Sequence, residues 1–318
     1  MSDINLDKPR YDQNTYMGRA KHFLLLTNPI NAFASNADLE EAKQIVTEFR
    51  KSRKMPPGYD ADKLWATKYL YDSAFHPDTG EKMFVLGRMS AQAPMNTLIT
   101  GCMITFYKTT AATVFWQWVN QTFNAVVNYT NRSGDAPLST SQLLASYCAA
   151  CGGALTTALY LNSKVKNLSP IYGRLVPFAA VCGANLINIP MMRSGELLNG
   201  TPVFTPDGVR VGESKAAARY GIGLVCISRI FMALPGMTVT PIITNIAINK
   251  GVFCRRPMMV IPFQLFLVGL CVTFATPLCC ALFEQRASLG VDSLESELKT
   301  QVKKNYPKIK EVYFNKGL

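Results

Sequence analysis

Acidic residues are missing where the sequence is most apolar. Five stretches, 97–119, 142–161, 171–192, 221–248 and 258–283, contain no Asp or Glu. Each approaches the roughly 20 residues that a helix needs to cross a bilayer. Histidine is nearly absent, with only His22 and His76 in the whole chain. A membrane path without carboxylates or imidazoles lacks the ligands that divalent cations favour, and it lacks an Asp/Glu proton relay. No metal site and no cofactor are expected. Cysteine is absent before Cys102 and after Cys280, so all nine thiols fall inside or beside the apolar stretches. That distribution suits small packing residues and argues against a disulfide framework. Cys148-Ala-Ala-Cys151 has the spacing of a redox dithiol, but no strand precedes it and helix packing explains it.

Other absences narrow the function. There is no G-x-x-x-x-G-K-[ST] loop, and Gly221-Ile-Gly223 lacks the third glycine of a dinucleotide turn, so nucleotide binding has no support. Asp78-Thr79-Gly80 is the trimer of aspartic proteases, but the paired carboxylate such an enzyme needs has no second copy here. No nucleophile–base or metal constellation is visible, so the chain does not read as an enzyme. The first thirty residues hold only Phe23–Leu26 as an apolar run, too short for a signal-peptide core. Asp3, Asp7 and Asp12 spoil the pattern of a cleaved presequence, so targeting is expected to lie in internal sequence.

What is present is basic and unevenly spread. The chain has 33 Lys and Arg against 21 Asp and Glu, a net charge of +12. Residues 1–95 are nearly balanced, and most of the excess lies in the loops between apolar stretches, as expected at membrane edges. A nucleic-acid partner, which would want its basic residues on one soluble face, is not indicated. The expected architecture is an all-α membrane protein with about five transmembrane helices, several interrupted by Pro, Gly or Asn. Residues 1–95 form a helical soluble region, 96–285 the membrane domain, and 286–318 a short tail.

Within the first region Asn36 is placed to cap a helix over 37–54, and a second helix is expected over 61–73. His76-Pro77-Asp78-Thr79-Gly80-Glu81 reads as a turn opening a third helix, with Asp78 and Glu81 at capping-box spacing. In the first span, Lys108 is an expensive charge unless it snorkels or faces protein. Gln117, Gln121, Asn124 and Asn128 form a polar stripe on one helical face. Either the helix runs on into water, the favoured reading, or the stripe lines a cavity. In the tail, Asp292 and Glu295 read as a capping pair before a surface helix striped by Leu294, Leu298 and Val302.

Candidate site residues follow from charge and from helix breaks. Asn185, Asn188 and Pro190 interrupt the third span; Pro235, Gly236 and Pro241 interrupt the fourth. Broken membrane helices are where many transporters build a binding site. Arg229 precedes the fourth-span break and either clamps a substrate carboxylate, or snorkels or pairs with a C-terminal carbonyl. Asn185 and Asn188 share a face and either contact solute or bond a neighbouring helix. With Lys108, these are the substrate-binding candidates.

Several segments together resemble the sideroflexin family. They are His76-Pro-Asp-Thr-Gly-Glu-Lys-Met83, Gly101-Cys-Met-Ile-Thr-Phe-Tyr107, Phe115-Trp-Gln-Trp118, Asn128-Tyr-Thr-Asn-Arg-Ser-Gly-Asp135, Ala184-Asn-Leu-Ile-Asn-Ile-Pro190, Ala275-Thr-Pro-Leu-Cys-Cys-Ala-Leu-Phe283 and Tyr313-Phe-Asn-Lys-Gly-Leu318. The resemblance spans essentially the whole chain. It implies a multi-pass protein of the mitochondrial inner membrane, made without a cleaved presequence. It also implies carriage of serine into the matrix for one-carbon metabolism, with alanine, glycine or cysteine as further substrates. The alternative is an inner-membrane scaffold supporting respiratory-complex assembly or iron and haem homeostasis. Five spans would place the termini on opposite faces, and the resemblance favours a matrix N-terminus.

Overall fold

The computed structural model describes residues 4–77, 79–106, 109–131, 140–165 and 170–317. The N-terminal layer is helical. It contains α1 (Tyr16–Leu26), a 3-10 turn (Pro29–Phe33), α2 (Asn36–Ser52) and α3 (Ala61–Ala74). α2 is capped one residue earlier than expected. Ser35 Oγ accepts from the Asp38 amide, and the Asp38 carboxylate accepts from the Ser35 amide, a reciprocal box that Asn36 cannot make. Its apolar stripe, Leu39, Ala42, Val46 and Phe49, is buried, with Val46 and Phe49 packed against Leu64 of α3.

The motif at 76–81 departs from its expectation in another way. It does not launch a helix. A bridge between Phe75 and Lys82 closes it into a loop, and His76 N donates to Glu81 O at 2.8 Å while Gly80 N donates to His76 O at 2.9 Å. Gly80 takes φ +66°, which glycine adopts without strain. Two 3-10 turns, Val85–Gly87 and Met89–Ala91, follow where a third helix was expected. The backbone is already committed to the bridge, so the capping spacing has no helix to cap.

Among the described residues four helices are long and apolar enough to cross a membrane: Ser141–Leu161, Leu175–Met192, Lys215–Asn249 and Pro257–Cys280. The expected first span is not one helix. It is split into α4 (Gln92–Thr105) and α5 (Thr110–Thr130), because Thr109 leaves helical geometry and caps α5 through the Ala112 amide. The two form a hairpin. Ile99 and Met103 of α4 pack with Phe123 and Val127 of α5, and Asn131 at the end of α5 returns to donate to Gly87 O at 2.7 Å.

A second hairpin follows, α6 (Thr140–Val165) and α7 (Pro170–Met192). Ala150, Ala154 and Ala158, four residues apart on α6, are buried, as are Ala180 and Ala184 on α7. Small residues let membrane helices approach closely, and a Cβ at Gly153 would meet Ile187 Cδ1 at 2.3 Å. α7 contains Pro177 and Pro190 yet stays helical. After the short α8 (Ser194–Asn199), the fourth apolar stretch is one continuous rod rather than a broken helix. α9 (Lys215–Leu234) passes through a π-helical turn (Pro235–Val239) into α10 (Thr240–Asn249). Pro235 and Pro241 lack the N–H that would hold the ladder, and the wider turn absorbs the mismatch. Thr238 Oγ1 donates to Leu234 O at 2.6 Å, so that carbonyl is not left free. α11 (Val260–Cys280) completes the bundle.

A four-stranded antiparallel sheet, absent from the sequence reading, caps one end of the bundle. β1 (Thr201–Phe204) and β2 (Arg210–Ser214) form a hairpin between the third and fourth apolar stretches, and the tail supplies β3 (Arg286–Gly290) and β4 (Glu311–Asn315). The strand order is β2-β1-β4-β3. Val203, Val211, Ala287, Val312 and Phe314 pack under Leu298 and Val302 of α12 (Ser296–Asn305). The expected helix stripe is therefore correct, but it covers a sheet. Asp292 and Glu295 do not act as a capping pair for α12. Asp292 accepts from Lys299 and Lys303 instead. Glu295 accepts from Ala216 N at 2.8 Å and Ser214 Oγ at 2.9 Å, and so caps α9 from a distant part of the chain.

Both ends of the chain meet at the same end of the bundle. Arg19 of α1 donates to Ala281 O at 2.9 Å and pairs with Glu284 at 3.3 Å, immediately after α11. Five separate spans would put the termini at opposite ends of the bundle; here the first stretch is divided into α4 and α5, which fold back on each other. The opposite end of the bundle carries Lys164, Lys250, Arg255 and Arg256, and no acidic residue occurs between Glu213 and Glu284.

Candidate functional site

The fourth stretch places Arg229 on α9 about four turns from its start, facing a cavity closed by α4, α11 and the C-terminal segment. Met89, Gln92, Val225, Ser228, Arg229, Met232, Thr276, Cys280 and Lys316 line it. Lys316 comes from the residue after β4. Its amide donates to Gln285 O at 2.9 Å and its carbonyl accepts from Arg193 Nη1 at 2.7 Å. These bonds fix the backbone, and the side chain is 1% exposed, with Nζ 6.0 Å from the Phe283 ring centre. Burial pushes the Lys316 amine below its ordinary pKa, and the nearby Arg229, Arg19 and Arg193 push it further in the same direction.

The cavity is rich in donors and poor in acid. Among the described residues neither the Arg229 guanidinium nor the Lys316 ammonium pairs with a carboxylate. Arg19 and Arg193 do, with Glu284 and Glu196. Ser228 Oγ, Thr276 Oγ1 and Gln92 Nε2 are buried without a hydrogen-bond partner among the described residues. Gln92 Oε1 already accepts from Asn96 Nδ2 at 3.1 Å, so Gln92 turns only its donor side to the space. A buried polar atom left unbonded costs about 1–3 kcal/mol, so a cluster of them marks a place meant for solute or water. The free volume is about 20 Å³, room for one water. The described conformation is closed.

Between α5, α6 and α7, Gln121, Ala125, Leu143, Tyr147, Ala150, Asn188 and Met192 meet in a packed seam with no room for a water. The amide stripe of α5 points inward here rather than running into water. Gln117 and Gln121 are each 2% exposed and Asn120 is also buried. Gln117 Oε1, Asn120 Nδ2 and both amide atoms of Gln121 have no partner among the described residues. Tyr147 and Thr122 hydroxyls bond each other at 2.9 Å beside them. Further unbonded atoms, Thr244 Oγ1 of α10 and Gln264 Nε2 of α11, lie toward the far end of the bundle. Buried polar side chains therefore occur from one end of the bundle to the other.

The chain matches the family model for sideroflexins over residues 5–318. It is 56% identical to Sideroflexin-1-3 of Drosophila melanogaster over 99% of this chain and 98% of that one. Identity to Sideroflexin-1 of Homo sapiens is 55%, and to Sideroflexin-3 of Bos taurus 54%, with the same coverage. The chain belongs to the sideroflexin family. It is a multi-pass membrane protein by its apolar helices. No solved structure matches it.

In this sideroflexin the sequence candidates do not converge on one point. Arg229 lines the cavity, whereas Asn188 sits in the packed seam of α5, α6 and α7. Asn188 is 5% exposed, Asn185 is half-buried one helical turn away, and neither side chain bonds a neighbouring helix among the described residues. Lys108 and Asp78 lie outside the described residues. His76, Pro77, Thr79, Gly80 and Glu81 sit in the N-terminal layer, where Thr79 N donates to His76 Nδ1 at 3.3 Å. Lys316, Ser228, Thr276 and Gln92 escaped the sequence reading. Lys316 sits in a polar tail, and only the pairing of β4 with β3 carries it into the bundle.

Proposed function

We propose that this sideroflexin carries small neutral amino acids across the mitochondrial inner membrane, chiefly serine toward the matrix for one-carbon metabolism. Alanine, glycine and cysteine are further substrates. The observation that carries the reading is a half-buried Arg229 and a buried Lys316, facing a cavity with no acidic partner among the described residues and beside unbonded hydroxyls. A carboxylate entering a low-dielectric space needs cations or aligned donors, and both are there. The ammonium end has no carboxylate to meet, so amide oxygens such as Gln117 Oε1 and Gln121 Oε1 accept from it along the route. A side chain carrying a further charge finds no partner, which disfavours glutamate and lysine. A scaffold has no need of unbonded amides and unpaired cations inside its bundle, and that separates the alternative.

Because the free space admits only one water, carriage requires the cavity to open. The Ala- and Gly-lined seam of α6 and α7 and the π turn between α9 and α10 are the elements suited to shift. Labelled serine uptake by liposomes containing only the purified protein tests the proposal. Saturable uptake, competed by alanine but not by glutamate or lysine, is expected; protein-free and protein-containing liposomes behaving alike would leave the scaffold reading.

A further inference from the structure

We infer that the closed Arg229–Lys316 cavity is a binding site for a monatomic anion, with chloride as its occupant when no amino acid is bound. The chemistry of the lining points one way. Gln92 presents its Nε2 because its oxygen is taken by Asn96, Ser228 and Thr276 present hydroxyl groups, and Arg229 and Lys316 present cations. Lining side chains supply no carboxylate and no free carbonyl oxygen. The hydroxyls can donate or accept, but Arg229, Lys316 and Gln92 Nε2 can only donate, so the lining as a whole favours an anion over a cation.

Size makes the choice narrower. With about 20 Å³ free, the described conformation accepts one body of roughly the size of a water molecule and excludes an amino acid. Water would satisfy the hydroxyls but would leave Arg229 and Lys316 near each other with no anion between them, since Glu284 and Glu196 are already paired with Arg19 and Arg193. A monatomic anion satisfies the same donors and offsets that repulsion. Phe283 and Cys280 give the Lys316 side chain no charge of its own to lean on. The site therefore holds a small anion while closed and exchanges it for a substrate carboxylate on opening. This last step rests on the carrier reading; the anion site does not.

The test uses full-length protein in detergent, with chloride-35 NMR line width followed as chloride replaces gluconate at fixed ionic strength. Saturable broadening is expected, reversed by added serine. Thr276→Val and Ser228→Ala keep side-chain shape while removing a donor, and each should weaken chloride binding, Lys316→Gln by roughly tenfold or more. Equal broadening in the wild type and all three variants would assign the ion to the surface and overturn the inference. Absence of saturable broadening would overturn it as well. Serine uptake in gluconate-only liposomes separates the two claims. Chloride binding without uptake leaves the anion site and removes the carrier, whereas uptake without chloride binding does the reverse.

Discussion

Arg193 holds the C-terminal strand against the bundle by donating from Nη1 to the carbonyl of Lys316 at 2.7 Å. The same guanidinium donates from Nε to Glu196 at 2.8 Å, so its orientation is fixed from the other side. Through this contact the junction between α7 and α8 positions the amine that faces Arg229. A hydrogen bond to a charged group contributes about 1.5–3 kcal/mol, and losing it here releases the segment that carries Lys316. Arg193→Ala should retain the membrane bundle but lose serine uptake by about tenfold, with faster amide exchange at 311–317. Unchanged uptake together with unchanged exchange would remove Arg193 from the site.

The amides of α5 give the opposite pattern. Gln121 is buried with both amide atoms unbonded among the described residues, so an apolar replacement of similar length removes a penalty of about 1–3 kcal/mol. Gln121→Leu should raise the midpoint of thermal unfolding while reducing serine uptake. Loss of stability in that variant would mean that Gln121 is bonded in the folded protein and serves packing.

Tags at the two termini should report the same side of the membrane. Arg19 contacts Ala281 and Glu284, which joins the N-terminal layer to the segment following the last span. Protease added to mitoplasts should cut both tags or neither. Cleavage of one alone would refute the even number of crossings.

The legibility of the fold varied with the length of the signal. Long acid-free stretches identify the membrane helices because nothing else in a chain needs twenty apolar residues without a carboxylate. The first stretch misled for a physical reason: Thr109 leaves helical geometry within it, and a threonine is a better helix cap than a membrane residue. Strands of four or five residues, such as Thr201–Phe204, give too few alternations to separate from a loop. Pro235 and Gly236 suggested a break, yet a helix can absorb them as a π turn, which residue identity does not distinguish from unwinding. The charge argument singled out Arg229 because a cation inside an acid-free span stands out, and the structure places it beside a cavity. Lys316 did not stand out, since a lysine in a polar tail is ordinary until tertiary pairing buries it. The amide stripe of α5 was visible as a pattern, but its direction depended on where α6 and α7 pack.

The central claim is that Arg229 receives the substrate carboxylate, and serine-uptake kinetics on matched amounts of folded variant test it most directly. Removing one partner of such a pair costs ~2–5 kcal/mol, so Arg229→Gln should lower uptake by well over tenfold without loss of protein. Arg229→Lys should recover little, because a point charge does not replace a planar fork. A near-normal rate for Arg229→Gln would contradict the account and place the binding site elsewhere in the bundle.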